Sequence, residues 1–253
     1  MIKSHSRQAN SFSMDIVLLA RSALFTLFMG LSITLFAIPM ALTLGLPPLE
    51  RFRFAVGRAC ASVELKALSW FCGLNYQVTG LSHLPKIGGI LFWRHESTWE
   101  TFLSFLLPEK PTWVLKRELL WIPIVGWAIA ALKPIAINRS AGRRAVNQVL
   151  RRGRDQLEQG RTLNFFPEGT RLSPGERRRY GVSGALLANE SGQPVIPIAH
   201  NAGDFWPRRS LLKHPGTIQV HIGPAIDGRG LTPEELNRQV SEWIEGELAR
   251  IRS

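Results

Sequence analysis

The chain has 253 residues, 45% of them hydrophobic, a length that suits one full-sized domain with an appended segment better than two catalytic domains. Lys and Arg number 31 against 19 Asp and Glu, so the net charge of +12 favours anionic partners such as lipid headgroups or phosphorylated substrates. No zinc-finger, RNP-type or basic-zipper pattern accompanies this charge, and we therefore predict no nucleic-acid partner.

The N-terminal region contains a long apolar run. No charged side chain occurs from Ser22 through Leu49, about 28 residues, whereas a membrane-spanning helix needs roughly 20. A secretory signal has a shorter apolar stretch and a cleavage site, so we predict a retained membrane helix over about 14–46, with a buried core helix as the alternative. Pro39 is expected to kink or end this helix. Basic residues flank both sides, and the positive-inside rule does not decide whether the helix crosses the membrane.

A second segment, about 49–73, alternates charged and large apolar residues. This pattern predicts an amphipathic helix in the headgroup region, although packing against a partner helix or a core would give a similar pattern. We assign residues 1–74 to the membrane anchor. Cys60 and Cys72 fall in or near this segment without a nearby histidine, so we expect small core residues and neither a disulfide framework nor a zinc site.

The remaining residues, 75–253, alternate short apolar runs with helical periodicity, which is typical of an α/β domain. We predict strands at Gly88 to Trp93, around Ala136, and at three later runs: Thr162 to Phe166, Pro194 to Ala199 and Thr217 to Ile222. A helix is predicted from about Ala141 to Gln159, and a capping box with proline at the first helical position begins the last helix at Thr232.

An imidazole and a carboxylate stand five positions apart where the first predicted strand leads into a helix. Transfer of an acyl group to an alcohol needs a base near neutral pKa, and a carboxylate that fixes the imidazole tautomer. Residues five apart on one helix point about 140° apart, so His95 is expected just before the helix, with Glu100 in its first turn. The alternative is structural, because Ser97 and Glu100 also form a capping-box pattern.

A second group of polar residues follows the strand that ends near Phe166. The turn from Phe166 to Arg171 contains a proline and a glycine, and it can present backbone N–H groups and a guanidinium to a phosphate. An ordinary turn with a surface ion pair would have the same residues. Lys116 and Arg139 follow other apolar runs and supply cations that can converge on one headgroup, although single basic residues are usually solvated.

Together and in this order, these segments resemble the glycerolipid acyltransferases, specifically the 1-acylglycerol-3-phosphate acyltransferases of bacterial membranes. The resemblance spans about Leu81 to Gly223. The family motif His-x-x-x-x-Asp is matched by His95 to Glu100, Ile-Asp-Arg by Ile137 to Arg139, and Phe-Pro-Glu-Gly-Thr-Arg completely by Phe166 to Arg171. A fourth, Val-Pro-Val-Ala-like strand is matched by Val195 to Ala199.

The resemblance implies a mixed sheet flanked by helices, with His95 as general base toward the acceptor hydroxyl and Glu100 as its orienting carboxylate. It implies direct attack on a thioester of acyl-CoA or acyl carrier protein, with lysophosphatidate as acceptor. No metal-ligand cluster is visible in the sequence, so we predict no metal and no further cofactor. The resemblance also implies the inner (cytoplasmic) membrane bilayer as location, with the catalytic domain on the cytosolic face. The acceptor-phosphate site then comprises Lys116, Arg139, Glu168, Gly169, Thr170 and Arg171.

The sequence departs from the family pattern at two positions, where Glu100 and Asn138 each replace a common Asp. These changes leave open another lysolipid acceptor, or a non-catalytic membrane-binding homologue. A serine lipid hydrolase is a further alternative, but the nearest candidate elbow, Gly181 to Ala185, fails the Gly-x-Ser-x-Gly spacing.

Overall fold

The computed structural model describes residues 2–253, and it describes side chains from Asp15 onward apart from that of Pro47. In this part of the chain, seven strands form one sheet: β1 (Leu74–Thr79), β2 (Gly89–Trp93), β3 (Pro111–Lys116), β4 (Ile135–Ile137), β5 (Thr162–Phe165), β6 (Val195–His200) and β7 (Gly216–Ile222). Their order is β1-β7-β6-β2-β5-β3-β4, and only the β6–β7 pair is antiparallel. The predicted mixed sheet is confirmed.

Helices cover both faces of this sheet. Their ranges are α1 (Ile2–Leu42), α2 (Glu50–Cys72), α3 (Trp99–Leu106), α4 (Val125–Ala131), α5 (Arg143–Glu158), α6 (Val182–Ser191), α7 (Ala202–Phe205) and α8 (Pro233–Arg252). The last helix begins with the predicted capping box, in which Thr232 and Glu235 exchange hydrogen bonds.

The central strand β2 shows why its sequence is one continuous apolar run. Successive side chains of a strand point to opposite faces of the sheet. Leu91 and Trp93 pack into a core with α2 and α3, whereas Ile90 and Phe92 pack into a second core with α5, α6 and α8. All five residues of β2 are buried, as expected for a parallel strand covered on both sides.

Two strands, β1 and β3, were not predicted from the sequence. β1 lies at one edge of the sheet, and of its six residues only Leu74 is buried, so no apolar run marks it. β3 begins at Pro111 and ends at Lys116 among polar neighbours. The predicted boundary at residue 75 therefore falls one residue inside β1.

The helix α1 continues past its proline. Pro39 lies inside α1, which ends at Leu42, before the predicted end at about 46. The segment Asp15–Leu42 is long and apolar enough to cross a membrane. One face of it is an exposed apolar stripe with helical spacing, formed by Ile16, Leu24, Leu27, Leu31, Leu35 and Leu42.

The opposite face of α1 is packed on the rest of the molecule. The Ser32 hydroxyl donates to the buried carboxylate of Glu64 in α2. Arg53 of α2 donates to the carbonyl groups of Thr43 and Leu46 in the segment that follows α1, and it is only 2% exposed. Part of α2 thus has the core packing that the sequence left open as an alternative, because two of its charged residues face α1 and not lipid headgroups.

A buried lysine joins α1 to the loop before β7. Lys213 is 1% exposed, and its ammonium group donates to the Ser22 carbonyl and lies 5.4 Å from the ring centre of Phe25. It also lies 4.9 Å from the ring centre of Trp206. The helix α1 and the segment that precedes β7 are therefore in direct contact through buried residues.

Candidate active site

The segment between β2 and α3 brings the predicted imidazole and carboxylate together. Nδ1 of His95 lies 2.7 Å from Oε1 of Glu100, which is fully buried in the first turn of α3. Because a carboxylate accepts, Nδ1 carries the proton and Nε2 is left as the acceptor nitrogen. His95 also stacks on the ring of Phe166, with ring centres 4.2 Å apart.

Glu100 serves the helix start and the histidine at the same time. The backbone N–H groups of Glu96 and Ser97 donate to its Oε1 at 3.1 and 3.0 Å. Burial alone would raise the pKa of Glu100, but the hydrogen bond from His95 and nearby imidazoles bring this pKa below its usual value. The capping and catalytic interpretations of this residue are thus both compatible with its contacts.

The Phe166 to Arg171 turn lies against the histidine. Gly169 has φ of +70°, and the N–H of Leu172 donates to the His95 carbonyl at 2.8 Å. The guanidinium of Arg139 donates to the Gly169 carbonyl, which joins the second predicted cation to the turn. The side chain of Asn138 accepts from the N–H of Ser140 at 3.1 Å, and this bond closes the short turn that carries Arg139.

A groove of about 620 Å³ opens beside His95. Its deep part is apolar, with walls from α1, α2, α3 and α4 that include Ile33, Ala37, Met40, Ala61, Phe102 and Ala128. Its mouth is cationic, with Lys116, Arg139, Arg171, Arg208 and Arg209. Gly169 and Thr170 also line it, so the structure gathers all but one of the predicted phosphate-site residues around one opening.

Glu168 is the exception. Its side chain is buried behind the turn and does not line the groove, and Oε1 lies 3.8 Å from the guanidinium of Arg94. Neither of its carboxylate oxygens has a hydrogen-bond partner among the described residues, and burial raises the pKa of Glu168 to about 8. The position of Glu168 fits support of the turn and not direct contact with a phosphate.

Arg94 connects the segments behind the histidine, and sequence reasoning missed it. It is 1% exposed, and it donates to Glu96 at 2.9 Å, to Glu245 of α8 at 2.8 Å and to the Glu176 carbonyl at 2.6 Å. Arg252 of α8 donates to the other oxygen of Glu96 at 2.8 Å. The C-terminal helix thus holds the segment that carries His95.

His200, at the end of β6, also supports this segment. Its Nδ1 accepts from the N–H of Ala202 at 3.2 Å, so its Nε2 donates to the Arg94 carbonyl at 2.8 Å. The sequence assigned this histidine to no site, because the contact joins residues more than 100 positions apart. Among the described residues, no cluster of three or more His, Cys, Asp or Glu side chains is arranged for a metal ion.

Comparison with known proteins agrees with this geometry. The family model described as Acyltransferase matches residues 75–201. A Pseudomonas aeruginosa protein named 1-acyl-sn-glycerol-3-phosphate acyltransferase is 42% identical over 210 residues, covering 81% of each chain. The chain belongs to the acyltransferase family. The resemblance inferred from the four motifs is confirmed, and the protein is an acyltransferase.

More distant acyltransferases show the same relationship. A Borreliella burgdorferi protein named 1-acyl-sn-glycerol-3-phosphate acyltransferase is 26% identical over 180 residues, covering 70% of each chain. The crystal structure of the LPA acyltransferase PlsC from Thermotoga maritima superposes on this chain with a TM-score of 0.76. The two sequences are 23% identical. It covers 92% of this chain and 97% of its own, so the two acyltransferases share one fold.

Proposed function

We propose that the protein transfers a fatty acyl group from acyl-CoA or acyl carrier protein to the sn-2 hydroxyl of 1-acylglycerol 3-phosphate, which gives phosphatidate. The observation that carries this proposal is the His95–Glu100 pair beside a groove with an apolar interior and a cationic mouth. The apolar interior suits a fatty acyl chain, and the cationic mouth suits the phosphate of a substrate. The names of relatives that are 42% and 26% identical support the choice of acceptor.

The chemistry proceeds by general base catalysis. Nε2 of His95 takes the proton of the acceptor hydroxyl while its oxygen attacks the thioester carbon. Glu100 remains ionised and stabilises the imidazolium through Nδ1. The tetrahedral intermediate then breaks its carbon–sulfur bond, and the imidazolium returns the proton to the departing thiolate. The products are the ester and a free thiol, and the histidine is regenerated.

No covalent acyl-enzyme is needed in this sequence. Cys60 lines the groove and is the nearest candidate for a thiol nucleophile. Burial and the charge of Glu64 raise the pKa of Cys60 to about 12, so at neutral pH this group stays a thiol. Direct attack by the acceptor hydroxyl is therefore the simpler route.

The acceptor phosphate is assigned to the cations at one side of the mouth. Lys116, Arg139 and Arg171 line this part of the groove, and Arg binds phosphate oxygens bidentately. Thr170 can add a hydroxyl donor, and Gly169 allows close approach of the backbone. Glu168 acts from behind, through the position of the turn.

The protein is further proposed to act at the inner (cytoplasmic) membrane, with the catalytic domain on the cytosolic side where acyl thioesters are made. The exposed leucine stripe of α1 supports contact with lipid. Exposed Trp70, Trp121 and Trp127 suit the membrane–water interface, where tryptophan is enriched.

The deciding experiment follows a labelled acyl group from acyl-CoA and from acyl carrier protein to lysophosphatidate in detergent. Wild type is expected to form phosphatidate with at least one donor, and His95→Ala is expected to form none while its thermal unfolding is unchanged. Glycerol 3-phosphate and other lysophospholipids serve as competing acceptors. Full activity of His95→Ala, or faster transfer to a different acceptor, would refute the proposal as stated.

A further inference from the structure

The cations at the mouth of the groove approach His95 from two directions. Strands β6, β2, β5, β3 and β4 are parallel, so their carboxyl ends meet at one edge of the sheet. His95 follows β2, Lys116 ends β3 and Arg139 follows β4, whereas Arg208 and Arg209 follow β6 and α7. The two groups therefore approach the groove from opposite sides of β2, and both reach the Phe166 to Arg171 turn, where Arg139 donates to the Gly169 carbonyl and Arg208 donates to the Arg171 carbonyl.

The second group of cations lies on a tight turn with an unusual backbone. The N–H of Ser210 donates to the Pro207 carbonyl at 3.2 Å, so Arg208 and Arg209 are its central residues. Arg209 has φ of +61°, whereas Arg208 is not among the residues with positive φ. A turn with positive φ only at its third residue is the type that strongly prefers glycine there. An arginine at this position opposes the local preference, as residues at functional sites often do.

The turn is fixed on both sides. Trp206 is buried, and its indole N–H donates to the Ser210 carbonyl at 3.3 Å. Arg208 donates to the Arg171 carbonyl at 2.5 Å, which ties the turn to the phosphate-binding motif. No carboxylate within residues 15–253 pairs with Arg208 or Arg209. Their charges are therefore available to an anion in the groove.

We propose that the Arg208–Arg209 turn is the anion site for the thioester donor, and that Arg209 binds the phosphate of its phosphopantetheine arm. This inference rests on the proposed function, in which each of the two substrates carries phosphate. Lys116 and Arg139 are assigned to the acceptor on the β3–β4 side of β2, and Arg208 contacts the backbone of Arg171, whose side chain is also assigned to the acceptor. The turn on the β6 side is left for the donor. The ligand chemistry is the phosphate ester next to pantetheine, which CoA and acyl carrier protein share.

The test combines a protein variant with a donor series. Acyl-CoA and acyl-4′-phosphopantetheine carry this phosphate, whereas acyl-pantetheine lacks it. Arg209→Gly removes the charge and supplies the residue that the turn prefers, so thermal stability should not fall. The control is Arg229→Gly, which removes another exposed arginine. Arg229 lies far from the groove, because the nearby Ile226 pairs with Val195 at the start of β6, the end opposite to the one that leads to the Arg208–Arg209 turn.

Arg209→Gly is expected to raise KM for both phosphorylated donors about tenfold or more, the usual scale of a lost charged hydrogen bond. KM for acyl-pantetheine and for lysophosphatidate should stay unchanged, and Arg229→Gly should match wild type throughout. An equal rise for acyl-pantetheine would overturn the proposal, because the effect would not depend on the phosphate. A rise in KM for lysophosphatidate alone would overturn it too, since the turn would then serve the acceptor.

A binding measurement separates this inference from the proposed function. Titration calorimetry of CoA with wild type and Arg209→Gly requires no turnover. Weaker CoA binding by the variant supports the anion site even if no lysophosphatidate is acylated. Equal CoA binding by the two proteins would refute the anion site even if transfer to lysophosphatidate is confirmed.

Discussion

Glu100 donates no proton and yet holds three groups at once: Nδ1 of His95 at 2.7 Å and the backbone N–H groups of Glu96 and Ser97 at 3.1 and 3.0 Å. One side chain thereby fixes both the start of α3 and the proposed catalytic base. The glutamate is one methylene longer than the aspartate of the family motif, and in this protein it reaches the histidine and the backbone with normal hydrogen-bond lengths.

Glu100→Gln tests whether the charge of this residue matters beyond its capping role. The amide can still accept backbone hydrogen bonds, but it cannot stabilise an imidazolium, so we expect kcat to fall about 10²- to 10⁴-fold with little change in KM. Steady-state kinetics and the melting temperature check this. Wild-type kcat in a folded Glu100→Gln protein would reduce Glu100 to a helix cap.

The buried carboxyl of Glu168 predicts a pH dependence of stability. Its pKa rises from 4.5 to about 8 on folding, so between these values the unfolded state ionises more readily and stability falls as pH rises. As pH rises across this window, the free energy of unfolding of Glu168→Gln should increase relative to that of wild type. The increase should be at most about 1.4 kcal/mol per pH unit. The gain should level off above pH of about 8.

Urea unfolding of both proteins at pH 5, 6.5, 8 and 9 gives the measurement. A constant difference between wild type and Glu168→Gln at all four values would show that this carboxyl does not titrate as its burial requires.

Arg94 should be among the most sensitive positions outside the groove. Arg94→Met leaves Arg252 as the remaining cation on the buried carboxylate of Glu96, so we expect a loss of up to about 3–5 kcal/mol, the cost of breaking a buried ion pair. Lysine cannot reproduce the forked contacts, so Arg94→Lys should recover only part of this stability. The matched control is Arg238→Met, because the Arg238–Glu242 pair on α8 is exposed and should contribute under about 1 kcal/mol.

Denaturant unfolding measures all three Arg94 and Arg238 variants on one scale. Equal stability of the Arg94→Met and Arg238→Met proteins would show that the buried network contributes nothing beyond an ordinary surface ion pair.

A substitution that narrows the apolar part of the groove should change the preference for acyl-chain length. A Cβ added at Gly57 of α2 would lie 2.8 Å from the ring of Phe105, and both residues line the groove. Gly57→Val should push this ring into the apolar space and favour shorter chains. Gly30→Ala on α1 is the control, because an added Cβ there meets no atom within 4 Å.

Competition among acyl donors of 12 to 18 carbons measures this preference. An unchanged product distribution for Gly57→Val, in a protein that still binds donor, would place the acyl chain elsewhere.

The sequence predicts those parts of the site that are local in the chain. His95 and Glu100 are five residues apart, and the spacing was enough to place one before α3 and the other in its first turn. The Phe166 to Arg171 turn is likewise a continuous segment after a buried strand. These features follow from strand and helix periodicity, without knowledge of the rest of the fold.

The remaining features depend on contacts between distant segments. Arg94 and Glu245 are 151 positions apart, and no local pattern indicates that α8 returns to the end of β2. In the sequence, nothing distinguishes Arg208 and Arg209 from solvated surface charges. Only the fold places the turn that carries them at the groove. The edge strand β1 lacks an apolar run, because five of its six side chains are not buried.

The side of α1 that faces away from the exposed leucine stripe supplies Ile33, Ala37 and Met40 to the groove wall. The same helix therefore carries both the surface proposed to contact lipid and one wall of the proposed substrate groove. A protein shortened to begin at α2 would lose that wall and uncover the buried Lys213. On the proposed function, a water-soluble version would need a replacement for this wall as well as the removal of the apolar helix.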